Sequence, residues 1–170
     1  MPFACLRTGR AAEFRDVPCR RRPPVGIDSS IHDKGLDVTP EENKELVRSF
    51  YDAGNRGDMD TCFGLISDEI VWTNIGTTAV SGTYRGKTEL MEGLLGPLFG
   101  SLKAGISSTL IGLVAEGDMV VAQTSGEAET KDGVAYNNTY CQVIRIKDGQ
   151  FVEVTEYFDT HLAGYVFGFE

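Results

Sequence analysis

The side chains best suited to chemistry lie in one stretch, Tyr136 to Thr160, YNNTYCQVIRIKDGQFVEVTEYFDT. Read with the period of two that strands impose, Asn138, Tyr140, Gln142, Ile144 and Ile146 share one face of a first arm. Val152, Val154, Glu156 and Phe158 share a face of a second arm, opposite Glu153, Thr155, Tyr157 and Asp159. Arg145 and Glu153 mark the outer side. The inner side is then apolar near the turn and carries an Asn, a Tyr, a Gln and a Glu toward the other end. A polar cluster on an apolar face is the sequence pattern of a ligand cavity. Within it Glu156 is the candidate acid/base, because a carboxyl among Val154, Phe158, Tyr140 and Trp72 is desolvated and its pKa rises toward neutrality. It can then exchange a proton with a carbon acid or a water. A structural Glu bonded to Asn138 or Tyr140 fits the same pattern, and both readings stand.

Around Glu156, Asn74 and Tyr140 are candidates for polarising a substrate or a water, and Asn138 and Gln142 for orienting one. Buried amides that only satisfy backbone groups are equally common. Tyr51 can donate to a ligand carbonyl or simply pack. Phe50, Trp72, Leu94, Leu98 and Phe158 read as the wall. His161, two residues beyond Asp159, is either a proton shuttle at the mouth or an exposed side chain. Asp159 alternates to the outer face unless a bulge intervenes.

These residues need elements to hold them. Thr39-Pro40-Glu41-Glu42 has the form of a capping box with proline at the first helical position. The helix it opens carries Leu46, Val47, Phe50, Tyr51 and Gly54 on one stripe and stops at Asn55-Arg56-Gly57. Asp58 caps a shorter helix from Met59 to about Ile66. Ser67-Asp68-Glu69 breaks it, and Ile70 to Asn74 is a short strand with Ile70, Trp72 and Asn74 on one face. A Gly-, Ser- and Thr-rich loop leads to Tyr84-Arg85-Gly86. Gly86-Lys87-Thr88 resembles the end of a phosphate loop, but Ser81 stands where the first glycine is needed. Lys87 to about Gly100 is a third helix, kinked or divided by Pro97. Strands then follow at 106–115, 119–130, 135–147 and 150–160, joined by Glu116-Gly117-Asp118, Lys131-Asp132-Gly133 and Lys147-Asp148-Gly149. Such turns make an antiparallel meander. Helices first and a meander last predict an α+β fold, a curved sheet with three helices on its concave face. Residues 161–170 are expected to fold over a sheet edge or a partner.

Composition narrows the function classes. The 170 residues suit one domain, here 39–170, preceded by an extension, 1–38, read as poorly ordered. The net charge of −9 argues against a nucleic-acid surface. Residues 1–26 hold six Arg against Glu13 and Asp16, a balance of +4 that leaves −13 for the remainder. No apolar run is long enough for a membrane span. Cys5, Cys19, Cys62 and Cys141 lack zinc or redox spacing, so neither metal nor cofactor is expected. Without a secretory apolar core at the start, the expected compartment is the cytoplasm, and the Asn137-Asn138-Thr139 acceptor pattern is set aside.

The order of elements and several phrases resemble the SnoaL-like and ketosteroid-isomerase-like proteins of the nuclear transport factor 2-like superfamily. The matching segments within residues 41–168 are Phe50-Tyr51 with Gly57-Asp58, Ser67-Asp68-Glu69 with Val71-Trp72, Tyr84-Arg85-Gly86, and Ile146-Lys147-Asp148-Gly149 through Glu156-Tyr157-Phe158-Asp159. The resemblance implies a cone-shaped fold around a pocket and a homodimer through the outer sheet face, where Cys141, Val143, Thr155 and Tyr157 are apolar for a solvated surface. It implies isomerase, cyclase or hydrolase chemistry on a small apolar carbonyl or epoxide compound, or a non-catalytic binding module. Phe50 stands where ketosteroid isomerases have an oxyanion Tyr, and Asn74 where they have the base. Gln123 and Ser125 replace the Arg and Asp of limonene-type epoxide hydrolases. Glu156 matches the acidic base of SnoaL-type cyclases, without their neighbouring His.

Overall fold

Thr39 opens the first helix as a complete capping box. Its hydroxyl accepts from the Glu42 N–H, and the Glu42 carboxylate accepts from the Thr39 N–H at 2.7 Å. The computed structural model describes residues 38–167, so the extension expected over 1–38 lies, but for Val38, outside the described residues. Helix α1 (Pro40–Arg56) buries Asn43, Val47, Tyr51 and Ala53 and ends where Gly57 takes φ 72°, a left-handed value that glycine adopts at little cost. Asn43 was missed as a buried position; its amide bonds the Gly117 carbonyl and ties the helix start to a sheet turn. Helix α2 (Met59–Gly64), capped by Asp58, stops two residues before the predicted end. Ile66 already belongs to strand β1 (Ile66–Asn74), held there by pairing with Phe151.

Strand β2 (Gly82–Arg85) pairs antiparallel with β1 inside what composition read as a loop. Its Gly and Thr carry no apolar alternation, so the pairing with β1 alone makes it a strand. The third helix is divided as predicted, but by a wider device than a kink. It comprises α3 (Lys87–Leu90), a π-helical turn (Met91–Leu95) and α4 (Gly96–Ser101). Pro97 offers no N–H, and the preceding turn widens so that the Gly96 N–H reaches the Met91 carbonyl. A Cβ at Gly96 would stand 2.7 Å from that oxygen, so the close approach requires glycine.

Strands β3 (Ser107–Glu116), β4 (Met119–Glu129), β5 (Ala135–Lys147) and β6 (Gln150–Phe158) form the meander. The six-stranded curved sheet has the order β2-β1-β6-β5-β4-β3, antiparallel throughout except for the parallel pair β1 and β6. Asp148 and Gly149 take φ 51° and 73°, the double positive value of a two-residue hairpin.

Simple alternation fails in β6. Val152 was expected inside, yet Phe151 is the buried residue, 1% exposed, and Val152 is only half-covered. Ile146 pairs with Phe151 and Arg145 with Glu153, so Val152 is the extra residue of a bulge. The bulge puts the Phe151 ring 5.2 Å from that of Phe50 and still leaves Val154 inside. Beyond it the face is as read: Val154, Glu156 and Phe158 oppose Ile144, Gln142 and Tyr140.

The last described element is helix α5 (Thr160–Phe167), where folding back over the sheet was expected. Asp159 caps it by accepting from the Leu162 N–H at 3.0 Å, and the Phe167 ring meets that of Tyr136 at 4.8 Å. No helix among the described residues is long and apolar enough to cross a membrane.

Candidate functional site

Helix α1, the π-helical turn and α4 stand over the inner sheet face and leave a cavity of about 900 Å³. Strand register arranges its floor in rows. Asn74, Glu156, Gln142 and Ala122 are neighbours across β1, β6, β5 and β4; Phe158, Tyr140 and Thr124 form the next row. Ten of the eleven candidates named from sequence line the cavity: Phe50, Tyr51, Asn74, Trp72, Leu94, Leu98, Tyr140, Gln142, Glu156 and Phe158. Asn138 does not. Its amide donates to the Tyr136 hydroxyl and the Asp159 carbonyl and accepts from the Asp159 N–H, clamping β5 to the end of β6.

At the centre is a relay of three side chains. The Tyr51 hydroxyl donates to Gln142 Oε1, and Gln142 Nε2 donates to Glu156 Oε1 at 2.6 Å. The ionised carboxylate fixes the amide, since it can only accept; Gln142 turns its NH₂ to Glu156 and leaves Oε1 to accept from Tyr51. Glu156 faces the cavity and is only partly covered, yet apolar walls keep bulk water from its carboxylate. Burial pushes its pKa from 4.5 up to about 7, against the opposing pull of hydrogen bonds from Gln142 and Trp72. Burial raises both the Tyr51 and Tyr140 phenols well above their ordinary range, helped next by the Glu156 charge at Tyr51 and by the neighbouring Tyr136 hydroxyl at Tyr140. They remain protonated donors.

Asn74 is committed. It accepts from the Trp72 indole N–H at 2.9 Å and donates to the Val80 carbonyl at 3.1 Å, so it positions the wall and the loop after β1. Tyr140 is the opposite case: its buried hydroxyl makes no hydrogen bond of ordinary length among the described residues and has only the Tyr136 hydroxyl, itself taken up by Asn138, near it. A buried donor left unmet costs on the order of 1–3 kcal/mol, so this hydroxyl is poised to bond an incoming acceptor. Asp159 and His161 are exposed and absent from the cavity lining. The Tyr51 contact to Gln142 was not legible, because it joins residues 91 apart in sequence and depends on how α1 lies across the sheet. Among the described residues no cluster of His, Cys, Asp or Glu could hold a metal ion.

The model of the SnoaL-like domain matches residues 47–154, from mid-α1 to the centre of β6. The chain belongs to that family. Among solved structures, this SnoaL-like protein is similar to Bal32a from a soil-derived mobile gene cassette, at 25% identity and TM-score 0.64, over 74% of this chain and 95% of that one. It shares its fold with TerC co-crystallised with polyporic acid, at 19% identity and TM-score 0.65, over 76% and 99%. A putative isomerase from Bacillus subtilis aligns over 75% and 94%, with 20% identity and TM-score 0.64. No curated protein matches the chain. SnoaL-like proteins are often isomerase- or cyclase-like pocket proteins, and the scaffold alone does not name a reaction.

Proposed function

We propose that this SnoaL-like protein is a cofactor-independent acid/base enzyme, an isomerase, cyclase or hydrolase acting on a small, mostly apolar carbonyl or epoxide compound. The observation that carries the reading is a carboxyl of pKa about 7 at the floor of an apolar cavity. A base of that pKa is half ionised near neutral pH and can both take and return a proton. In this mechanism Glu156 removes a proton from the carbon beside a carbonyl, or from a water that attacks an epoxide. Tyr140 donates a hydrogen bond to the substrate oxygen as negative charge develops on it. Gln142, held by Tyr51, positions the carboxylate, and Asn74 acts through Trp72 on the wall.

The test follows solvent deuterium entering a panel of cyclic ketones and polyketide fragments, with hydrolysis of small epoxides in parallel. Glu156→Gln should lower any catalysed rate by about 10²–10⁴-fold, the usual contribution of a positioned general base. The wild-type rate should fall as pH drops through about 7, where the base becomes protonated. Ligand binding without exchange or hydrolysis, unchanged in Glu156→Gln, would instead make the protein a binding module.

Tyr140→Phe should separate ligand recognition from folding. Because the hydroxyl makes no hydrogen bond of ordinary length among the described residues, its removal should leave thermal stability nearly unchanged. Affinity for a carbonyl-bearing ligand should fall roughly tenfold, the worth of one buried hydrogen bond. Calorimetric binding and melting of the same samples checks both; a large loss of stability would place the hydroxyl in the fold instead.

The protein is also proposed to be a homodimer through the outer sheet face. Val114, Val121, Val143, Thr155 and Thr73 form one continuous row across β3, β4, β5, β6 and β1. Val114 is 70% exposed at its end and Tyr157 48% exposed in the adjoining row. Val143→Glu, at the middle of that row, should give a monomer by sedimentation where the unaltered chain gives a dimer. A monomeric mass for the unaltered chain would end this assignment.

A further inference from the structure

The cavity has a charged end that acid/base chemistry at Glu156 does not use. Two cations line it, Arg56 and Lys103. Lys103 is committed to the Glu129 carboxylate at 2.5 Å. The Arg56 guanidinium makes no hydrogen bond and no close ion pair among the described residues; its charge is felt weakly by Asp58, whose carboxylate is spent on capping α2 through Thr61. It is exposed at the last turn of α1, where the mouth is held in shape: Asn55 donates to the Ser108 carbonyl at 2.7 Å and accepts from the Ser108 N–H at 2.8 Å. Register sets the mouth and the reacting row apart. Ser108 is level with Gly126 and Asn138, and Asn138 lies four residues along β5 from Gln142, about 13 Å along the strand direction, while Glu156 stands three strands across the sheet from Ser108.

We infer that the ligand is an amphipathic acid, its apolar body in the cavity, its reacting end at Glu156 and a carboxylate at the mouth against Arg56. The inference rests on Glu156 as the reacting end, and the separation calls for an extended apolar body between it and the carboxylate. A neutral ligand makes no use of a guanidinium at an otherwise apolar mouth. A carboxylate is the group its planar fork of donors fits best. An Arg in a final helical turn also complements the helix dipole. That role acts on stability and cannot distinguish one ligand from another. The net charge of −9 makes the preference informative, because the protein as a whole repels anions.

Displacement of the neutral fluorophore N-phenyl-1-naphthylamine from the full chain, by decanoate and by 1-decanol at pH 8, tests it. The two displacers share a chain and differ in the carboxylate. Arg56→Gln should raise the decanoate concentration needed about fivefold or more, as loss of a charge-assisted bond at a partly exposed site does, and move 1-decanol less than twofold. Arg56→Lys should recover part of the difference. An Arg56→Gln effect equal on both compounds, no effect on either, or failure of both to displace the bound fluorophore would overturn the inference. Acid/base chemistry at Glu156 is read separately, by deuterium exchange in Glu156→Gln, so either conclusion can fail while the other stands.

Discussion

Replacing Glu156 by Gln should make the protein more stable above pH 7 and leave its stability nearly unchanged near pH 4. The sign follows from linkage. With a pKa raised from 4.5 to about 7, the folded carboxyl keeps a proton that the unfolded chain releases between those values. Stability therefore falls as pH rises through that window and stays at the lower value above it. The shift corresponds to about 3 kcal/mol at most, at 1.36 kcal/mol per pH unit. Gln carries no charge to desolvate, and its amide oxygen can still accept from Gln142 Nε2, so the variant escapes the penalty and keeps the bond. Urea unfolding of both proteins from pH 4 to 8 checks it. The difference should open between about pH 4.5 and 7; a constant difference across that range would mean a carboxyl that titrates normally.

A penalty of that size at one residue is what separates a site from a structural pair. A carboxylate held for stability is met by a cation or by several N–H donors, which lower its pKa. Glu156 meets only neutral donors, the Gln142 amide and the Trp72 indole, and among the cavity-lining residues both cations belong to the mouth. Asn74 shows the contrast in the same row, with donor and acceptor both spent on the protein itself.

The site was legible from sequence to the extent that it depends on alternation along β5 and β6. Gln142 and Tyr140 share a face, as do Glu156 and Phe158, because every second residue must; the Asp148-Gly149 turn alone would set Gln142 against Thr155, and the bulge at Val152 brings it opposite Glu156. What alternation cannot carry is contact between elements. Asn138 lies in phase with Tyr140, yet its amide is drawn to the backbone at Asp159, where β6 gives way to α5. Arg56 reads as the end of a helix and becomes part of the mouth only because Asn55 pins that end to Ser108. Strand β2 was illegible for another reason, since its pairing with β1, and not its own side chains, makes it a strand.

Phe151→Ala should be among the most damaging single truncations in the fold, costing about 3–5 kcal/mol, while Val152→Ala next to it should cost less than about 1 kcal/mol. The alternating pattern predicts the reverse order, because it puts Val152 inside. Phe151 is 1% exposed, pairs with both Ile66 and Ile146, and stacks 5.2 Å from Phe50. Its N–H also bonds the Leu65 carbonyl at 2.8 Å, but that bond survives truncation, so the loss reports packing alone. Removing the ring leaves a void beside Phe50, which lines the functional cavity, so binding of an apolar fluorophore should weaken along with stability. Val152, the extra residue of the bulge, touches neither the core nor the cavity floor, and its loss should leave binding intact. Urea midpoints and fluorophore titrations on both variants decide the matter. A larger loss for Val152→Ala than for Phe151→Ala would mean that β6 runs without the bulge, with Phe151 and Glu156 on opposite faces as strict alternation requires.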